Sequence, residues 1–170
     1  MISLAQLNAL TPEAFVNVVG PVFEHSPWIA EMTWKRRPFD TREELHRELC
    51  MTIFHAAGEQ QVALIRAHPD LVGRAAVSGT LTKASAGEQV SAGLDRLTPA
   101  EIEAFQKFNA EYHAKFGFPF VICARLNKKE AILKGFEQRL RNTRDQEIKI
   151  ALVEIAKIAW LRLCDLVTEQ

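Results

Sequence analysis

The side chains best suited to proton transfer stand in two short stretches of the chain, around His68 and around Glu88. Pro69 disfavours a helical conformation for His68, so a helix predicted to precede it should end there. The partial negative charge at a helix C-terminus stabilises an imidazolium, which is the form of His68 that acts as an acid. The sequence therefore predicts a candidate proton donor at His68.

The stretch from Ser85 to Glu88 fits a capping box and predicts that a new helix begins at Ser85. Glu88 would then lie in the first turn, where the helix dipole favours a carboxylate. The backbone amides of residues 86–89 would lack intrahelical partners and would be available to a small anion, and Gly87 would let a ligand approach the backbone closely. A loop that folds back would pair the imidazolium of His68 with the carboxylate of Glu88.

Each of these signals also has an ordinary structural explanation. A histidine before a proline is commonly a loop residue, and the spacing of Ser85 and Glu88 is fully explained by helix capping. The apolar stretch 118–124 is equally compatible with the protein core. Taken one at a time, these short patterns leave both the catalytic and the structural interpretation open.

The elements that would position these residues are predicted to be helices, because apolar residues recur at helical spacing along most of the chain. We expect an all-α, single-domain bundle of about eight helices, covering 12–19, 27–35, 42–57, 59–67, 85–93, 99–117, 128–141 and 144–167. Thr41 and Glu44 should form a capping box, and Thr143 should cap the last helix. Two irregular segments, 68–84 and 117–127, interrupt the helices, and irregular backbone is where sites are commonly built. Residues 118–123 are predicted to be buried extended chain.

The composition excludes several classes of protein. The 170 residues contain 21 Lys plus Arg and 21 Asp plus Glu, so the basic footprint of a nucleic-acid binder is missing. No apolar run approaches the roughly 20 residues that span a bilayer, and the N-terminus does not resemble a signal peptide. The three cysteines, Cys50, Cys123 and Cys164, are interpreted as small buried apolar residues in a reducing compartment. We expect a cytoplasmic protein that binds neither membrane nor nucleic acid.

Motifs for bound cofactors are missing from the sequence as well. The five histidines, His25, His46, His55, His68 and His113, show neither H-E-x-x-H nor H-x-x-x-H spacing. The chain also has no glycine-rich phosphate loop and no G-x-S-x-G turn. The sequence therefore predicts no metal site and no cofactor.

Taken together and in order, several stretches resemble the 2-oxo-4-hydroxy-4-carboxy-5-ureidoimidazoline (OHCU) decarboxylase family. The resemblance covers nearly the whole chain, and the order and spacing of the stretches make it specific. The matching stretches are Phe15–Asn17, Glu24–Trp28, Ala67–Leu71, Ser85–Gln89, Ala92–Asp95, Asn109 with Tyr112, Phe116–Arg125, Glu137–Leu140 and Glu147.

The resemblance implies an all-α homodimer that decarboxylates OHCU to (S)-allantoin in the degradation of uric acid, without a cofactor. It implies that His68 is the proton donor. We expect Glu88 to share the catalytic site by accepting a hydrogen bond from the substrate hydroxyl. The substrate-binding residues that it implies are Pro69, Ser85, Ala86, Gly87, Glu88, Gln89, Phe120, Val121, Ile122, Cys123 and Ala124. Some relatives end in a peroxisomal signal, and the terminal Val167–Gln170 does not match one, which favours a cytoplasmic version.

Two other functions remain open at this level. One is a different cofactor-free lyase or hydrolase that acts on a related ureido compound, and the other is a non-catalytic helical interaction module. Arg125 is compatible both with a contact to a substrate carboxylate and with a structural ion pair.

Overall fold

Helices make up most of the computed structural model, which describes residues 1–73, 76 and 79–169. Nine α-helices lie in the described residues: α1 (Leu4–Asn8), α2 (Pro12–Val19), α3 (Trp28–Trp34), α4 (Arg42–Phe54), α5 (Gly58–Arg66), α6 (Lys83–Ser91), α7 (Pro99–Phe116), α8 (Lys129–Arg139) and α9 (Arg144–Leu166). Two 3₁₀ turns cover Gly20–Val22 and Ala124–Leu126, and two strands, β1 (Ile2–Ser3) and β2 (Val167–Thr168), pair in parallel. The predicted all-α class is confirmed.

The chain folds into two compact units. The first unit combines residues 1–67 with the C-terminal stretch from residue 156, and the second unit is formed by residues 68–155. All the residues predicted to form the site belong to the second unit. In the described stretches, no helix combines the length and the hydropathy needed to cross a bilayer.

Threonine hydroxyls begin helices where the sequence predicts them. The Thr143 hydroxyl accepts a hydrogen bond from the Gln146 amide at 3.3 Å, which starts α9 as expected. Thr41 likewise caps α4, but the Glu44 carboxylate accepts its backbone bond from Asp40 instead of Thr41. The predicted capping box at Thr41 is therefore wrong in its second half, because the Glu44 side chain reaches one residue further back.

The first unit contains elements that the sequence did not predict. Helix α1 and both strands were missed, and Val167 pairs with Ile2 instead of continuing α9, which ends at Leu166. These elements are too short to show a repeated apolar period, which is the signal used for prediction. Within this unit α3 packs against both α2 and α4.

An aromatic cluster forms the core of the second unit. The Phe120 ring stacks on Phe136 of α8 with centroids 3.8 Å apart, and Tyr112 of α7 meets Phe120 edge-on at 5.3 Å. Phe105 packs edge-on against the same Phe136 ring at 6.1 Å. Because aromatic pairs have preferred geometries, this cluster fixes the segment that contains Phe120 against α7 and α8.

Candidate active site

His68 lies where the sequence places it, directly after the C-cap of a helix. Helix α5 closes at Arg66 with Ala67 as its C-cap, and the His68 side chain is only 8% exposed. Pro69 and Asp70, which follow it, are half-buried. The chain thus holds a buried imidazole at the start of a loop, next to the negative end of a helix dipole. Of the predicted irregular segment 68–84, residues 74, 75, 77 and 78 lie outside the described residues.

The loop after His68 is fixed by the side chain of Gln89, which is 7% exposed. The Gln89 amide oxygen accepts a hydrogen bond from the Val72 amide at 3.1 Å, and its nitrogen donates to the Asp70 carbonyl at 3.4 Å. Val72 has φ 55°, a left-handed conformation that is rare for a β-branched residue. Such a conformation costs about 1–3 kcal/mol and persists only where its surroundings enforce it.

Helix α6 begins earlier than predicted. Thr82 is its N-cap and accepts a hydrogen bond from the Ser85 amide at 3.2 Å, while the Ala86 amide donates to the Thr82 carbonyl at 2.9 Å. The predicted start at Ser85 and its capping box with Glu88 are therefore wrong. The Thr82 hydroxyl caps the helix in place of the Ser85 hydroxyl. Helix α6 therefore begins at Lys83, two residues before the predicted start.

The earlier start moves Glu88 into the second turn of α6. The amides of residues 86–89 then lie inside the helix, where they bond to carbonyls four residues back. The expected set of free first-turn amides that could bind an anion at these residues is therefore wrong. What remains of the prediction is the side-chain pattern: Ser85, Glu88 and Gln89 share one helix face, because they are spaced at i, i+3 and i+4.

That face of α6 is the buried one. Ser85 is buried and Glu88 is half-buried, whereas Gly87 is exposed and Ala86 is half-buried. Since Gln89 on this face binds the loop at Asp70 and Val72, the helix that carries Glu88 lies against the loop that begins at His68.

Gly87 supports a prediction that separates ligand binding from folding. Its backbone is not left-handed, and a Cβ built at Gly87 would meet no atom within 4 Å. Glycine inside a helix costs about 0.5–1 kcal/mol relative to alanine. We therefore expect Gly87→Ala to raise the free energy of unfolding by about that amount, and to raise KM if a ligand contacts this backbone.

Gly58 provides the matched control for Gly87. It begins α5, and its added Cβ would also meet no atom within 4 Å. Gly58→Ala should leave KM unchanged in steady-state assays. An unchanged KM for Gly87→Ala as well would contradict the predicted contact between Gly87 and substrate.

The segment after α7 is mostly buried, as predicted, and forms neither helix nor strand. Gly117, with φ 76°, ends α7 in the left-handed conformation, and no regular secondary structure follows until Ala124. The side chains of Phe120 and Ile122 both approach Gly135 of α8, where an added Cβ would lie 3.4 Å from Phe120 and 3.9 Å from Ile122. The Phe120 ring therefore belongs to the aromatic core, and a contribution of Phe120 to ligand binding would come from its backbone.

Two charged side chains hold the backbone of this segment. Arg139 of α8 donates from Nη1 to the Val121 carbonyl at 2.7 Å, and Glu154 of α9 accepts from the Cys123 amide at 2.8 Å.

Cys123 itself is buried, as predicted for the cysteines, and so is Cys50, whereas Cys164 is half-buried. Burial raises the pKa of the Cys50 thiol to about 11, so this thiol is poorly ionised.

Arg139 is part of a buried network of charged and polar side chains. The Nε of Arg139 lies 2.8 Å from Oε2 of Glu147, whose side chain is 0% exposed. The Tyr112 hydroxyl donates to the same carboxylate and accepts a hydrogen bond from Nη2 of Arg139 at 3.2 Å. The pKa of Tyr112 is raised, chiefly because its hydroxyl is removed from water. Sequence reasoning assigned no role to this network, since the pattern of the chain does not show which charged residues will be buried.

The structure brings all three predicted site regions together in the second unit. Helix α6 packs against the Ala124–Leu126 turn, and Lys128 donates to the Ser91 carbonyl at the end of α6 at 2.9 Å. Gln89 joins the same helix to the loop after His68. Arg125, in the turn, is exposed. Across residues 1–73, 76 and 79–169, no three His, Cys, Asp or Glu side chains are grouped so that they could hold a metal ion.

This helical protein thus places a buried histidine at the start of a loop that is bound by a helix carrying a glutamate. Comparison with known proteins identifies its family. A family model for OHCU decarboxylase matches residues 8–164. The chain is 41% identical over 165 residues to 2-oxo-4-hydroxy-4-carboxy-5-ureidoimidazoline decarboxylase of Halalkalicoccus jeotgali, covering 97% of this chain and 92% of that relative. An Amia calva protein of the same name is 41% identical over 164 residues, covering 96% and 94%.

Structural similarity agrees with these sequence matches. The fold is similar to a crystal structure of (S)-allantoin synthase, with a TM-score of 0.80, 26% identity, and coverage of 99% of this chain and 54% of that chain. The chain belongs to the OHCU decarboxylase family.

Proposed function

We propose that this protein decarboxylates OHCU to (S)-allantoin in the degradation of uric acid. The family match supports this activity, and one observation supports its location: Gln89 joins the helix that carries Glu88 to the loop that begins at His68. His68 acts as the proton donor, and Glu88 accepts the proton of the substrate hydroxyl.

The chemistry of the substrate suits a site made of protein groups alone. The carbon that bears the carboxylate is next to a ring C=N, which accepts the electron pair when the C–C bond to CO₂ breaks. The ring nitrogen takes up a proton from solvent, and an enol intermediate remains. Protonation of this enol at the ureido-bearing carbon gives allantoin, and positioned general acids typically accelerate such steps about 10²–10⁴-fold.

His68 and Glu88 each carry out one of the two proton transfers that complete the reaction. His68 delivers its proton to one face of the ureido-bearing carbon, which sets the configuration of the product. Glu88 accepts the proton of the substrate hydroxyl, which becomes the product carbonyl. Pro69 lies against the substrate beside His68.

Backbone groups of 120–124 are proposed to bind the ureido edge of the substrate. Successive residues of an extended chain direct their backbone groups to alternate sides. Since the carbonyl of Val121 and the amide of Cys123 are bound to Arg139 and Glu154, the N–H and C=O of Ile122 should point the other way. Such a donor–acceptor pair matches the alternating N–H and C=O of a ureide.

The proposal for Glu88 can be separated from helix capping by two variants. Thr82, not Glu88, takes part in the cap of α6, so Glu88→Gln should leave this cap intact. We expect the same variant to lower kcat about 10²–10⁴-fold. Thr82→Ala is the matched control and should lose about 1 kcal/mol of stability while retaining kcat. Steady-state kinetics and denaturant unfolding measure both, and an unaffected kcat in Glu88→Gln would remove Glu88 from the mechanism.

We also propose that the protein is a cytoplasmic homodimer, as its resemblance to the family implies. Light scattering of the purified protein should then give a mass twice that of the 19.2 kDa chain. A mass equal to that of one chain at assay concentration would contradict the dimer.

The experiment that tests the proposed activity starts from uric acid. The two preceding enzymes generate OHCU in the cuvette, this protein is added, and circular dichroism follows allantoin. Spontaneous decay of OHCU gives a racemate without optical signal, so fast appearance of one enantiomer supports the proposal. Release of ammonia in place of CO₂ would instead identify a hydrolase, and an unchanged decay rate would leave an interaction module as the better explanation.

A further inference from the structure

Two side chains of α7 hold the loop that follows His68. The Nδ2 of Asn109 donates to the Leu71 carbonyl at 2.8 Å in a buried hydrogen bond. One turn further along α7, Nε2 of His113 lies 2.7 Å from Oδ1 of Asp70. The spacing of four residues places Asn109 and His113 on the same helix face. Neither residue has a role in the proposed chemistry.

The orientation of the Asn109 amide follows from its partner. The Leu71 carbonyl accepts hydrogen bonds only, so the Asn109 nitrogen must face it. The Asn109 side chain is 7% exposed, and its Oδ1 is buried without a hydrogen-bond partner among residues 1–73, 76 and 79–169. Native proteins rarely bury an unsatisfied acceptor, so stability alone is a poor reason for an asparagine at this position.

These contacts act close to the proposed proton donor. Asp70 is separated from His68 only by Pro69, whose ring fixes φ and leaves little freedom between the two residues. Gln89 of α6 also holds the backbone of this loop, so the loop is bound by two helices. A shift of Asp70 or Leu71 would therefore be transmitted to the imidazole of His68.

We infer that Asn109 and His113 are positioning residues of the decarboxylation, which act through Leu71 and Asp70 to aim His68 at one face of the substrate. The inference rests on the proposed function. Misplacement of a catalytic group by about 1 Å can cost about 100-fold in rate, so contacts outside the site can control turnover. They should also control stereochemistry, because a misdirected donor no longer protonates the enol before solvent does.

The test compares Asn109→Leu, His113→Leu and His113→Gln in the full-length protein. Loss of either contact should lower kcat about tenfold or more with KM little changed, and should reduce the enantiomeric excess of allantoin. His113→Gln should restore most of both values, since the glutamine Nε2 reaches Asp70 from nearly the same place. Glu111→Gln is the control. Glu111 lies on the same helix and its exposed carboxylate pairs with Lys107, so the variant removes a charge without touching the loop contacts.

Enantiomeric excess distinguishes positioning from folding. A smaller folded fraction lowers the apparent kcat without changing the stereochemistry of each turnover. The inference is overturned if His113→Leu and Asn109→Leu keep the enantiomeric excess of the wild type, whatever their stability. Failure of the wild type itself to give one enantiomer would refute the proposed function, and with it this inference, before any variant is compared.

Discussion

Replacement of His68 by asparagine should lower turnover about 10²–10⁴-fold and leave allantoin racemic. The imidazole is the proposed source of the proton that reaches the ureido-bearing carbon, and asparagine has no proton of suitable acidity to give. The side chain is 8% exposed, so a proton from solvent should reach the enol only slowly, and without preference for one face. Circular dichroism during turnover measures both consequences, because rate and optical activity appear in one trace.

The control for this substitution is His55→Asn. His55 follows α4, is exposed, and bonds to the carbonyl of Met51 at 2.9 Å; it belongs to the first unit, whereas the proposed site belongs to the second. It should retain wild-type turnover and a single enantiomer. A His68→Asn protein that still makes optically pure allantoin at the wild-type rate would show that another group donates the proton.

Local chemistry explains which parts of this site the sequence could predict. Pro69 restricts its neighbour His68, and the helix before it ends at Arg66, within one residue of the prediction. Gly117 and Pro119 likewise mark the end of α7 and the start of the buried extended segment. These features depend on residues adjacent in sequence, and a single sequence contains that information.

The start of α6 shows where local chemistry is ambiguous. Thr82 and Ser85 are both good N-caps, and Glu88 completes a capping box only with Ser85. The structure uses Thr82, and Glu88 consequently loses the structural explanation that the sequence offered for it. Glu88 instead lies in the second turn, on the face that binds the His68 loop, where we propose that it contacts the substrate.

Contacts between distant residues could not be predicted from the pattern. His113 is 43 residues from Asp70, and Asn109 is 38 residues from Leu71. Arg139 is 9% exposed and bonds to a carbonyl 18 residues away. Hydrophobic periodicity identifies helix faces, but it does not identify which polar groups will be buried against one another.

The largest loss of stability is expected from Arg139→Met. Methionine would leave the Glu147 carboxylate, which is 0% exposed, without its cation, and the Val121 carbonyl without its donor. Removal of one partner of a buried ion pair typically costs about 3–5 kcal/mol, because the remaining charge stays buried. Denaturant unfolding should show a loss of this size, and Arg139→Lys should lose less, since it keeps the charge but lacks the planar fork that reaches three acceptors at once.

A second ion pair that involves α8 provides the control for Arg139. Lys129 of α8 lies 2.6 Å from Glu101 of α7 but is not part of the buried network, so Lys129→Met should cost far less. Changing Arg139 and Glu147 together to apolar residues should recover part of the loss, since no lone charge then remains. The double variant should nevertheless bind substrate more weakly, because the Val121 carbonyl stays unheld and the backbone of Ile122 is free to turn. Recovery of stability together with wild-type KM would show that the network serves folding alone.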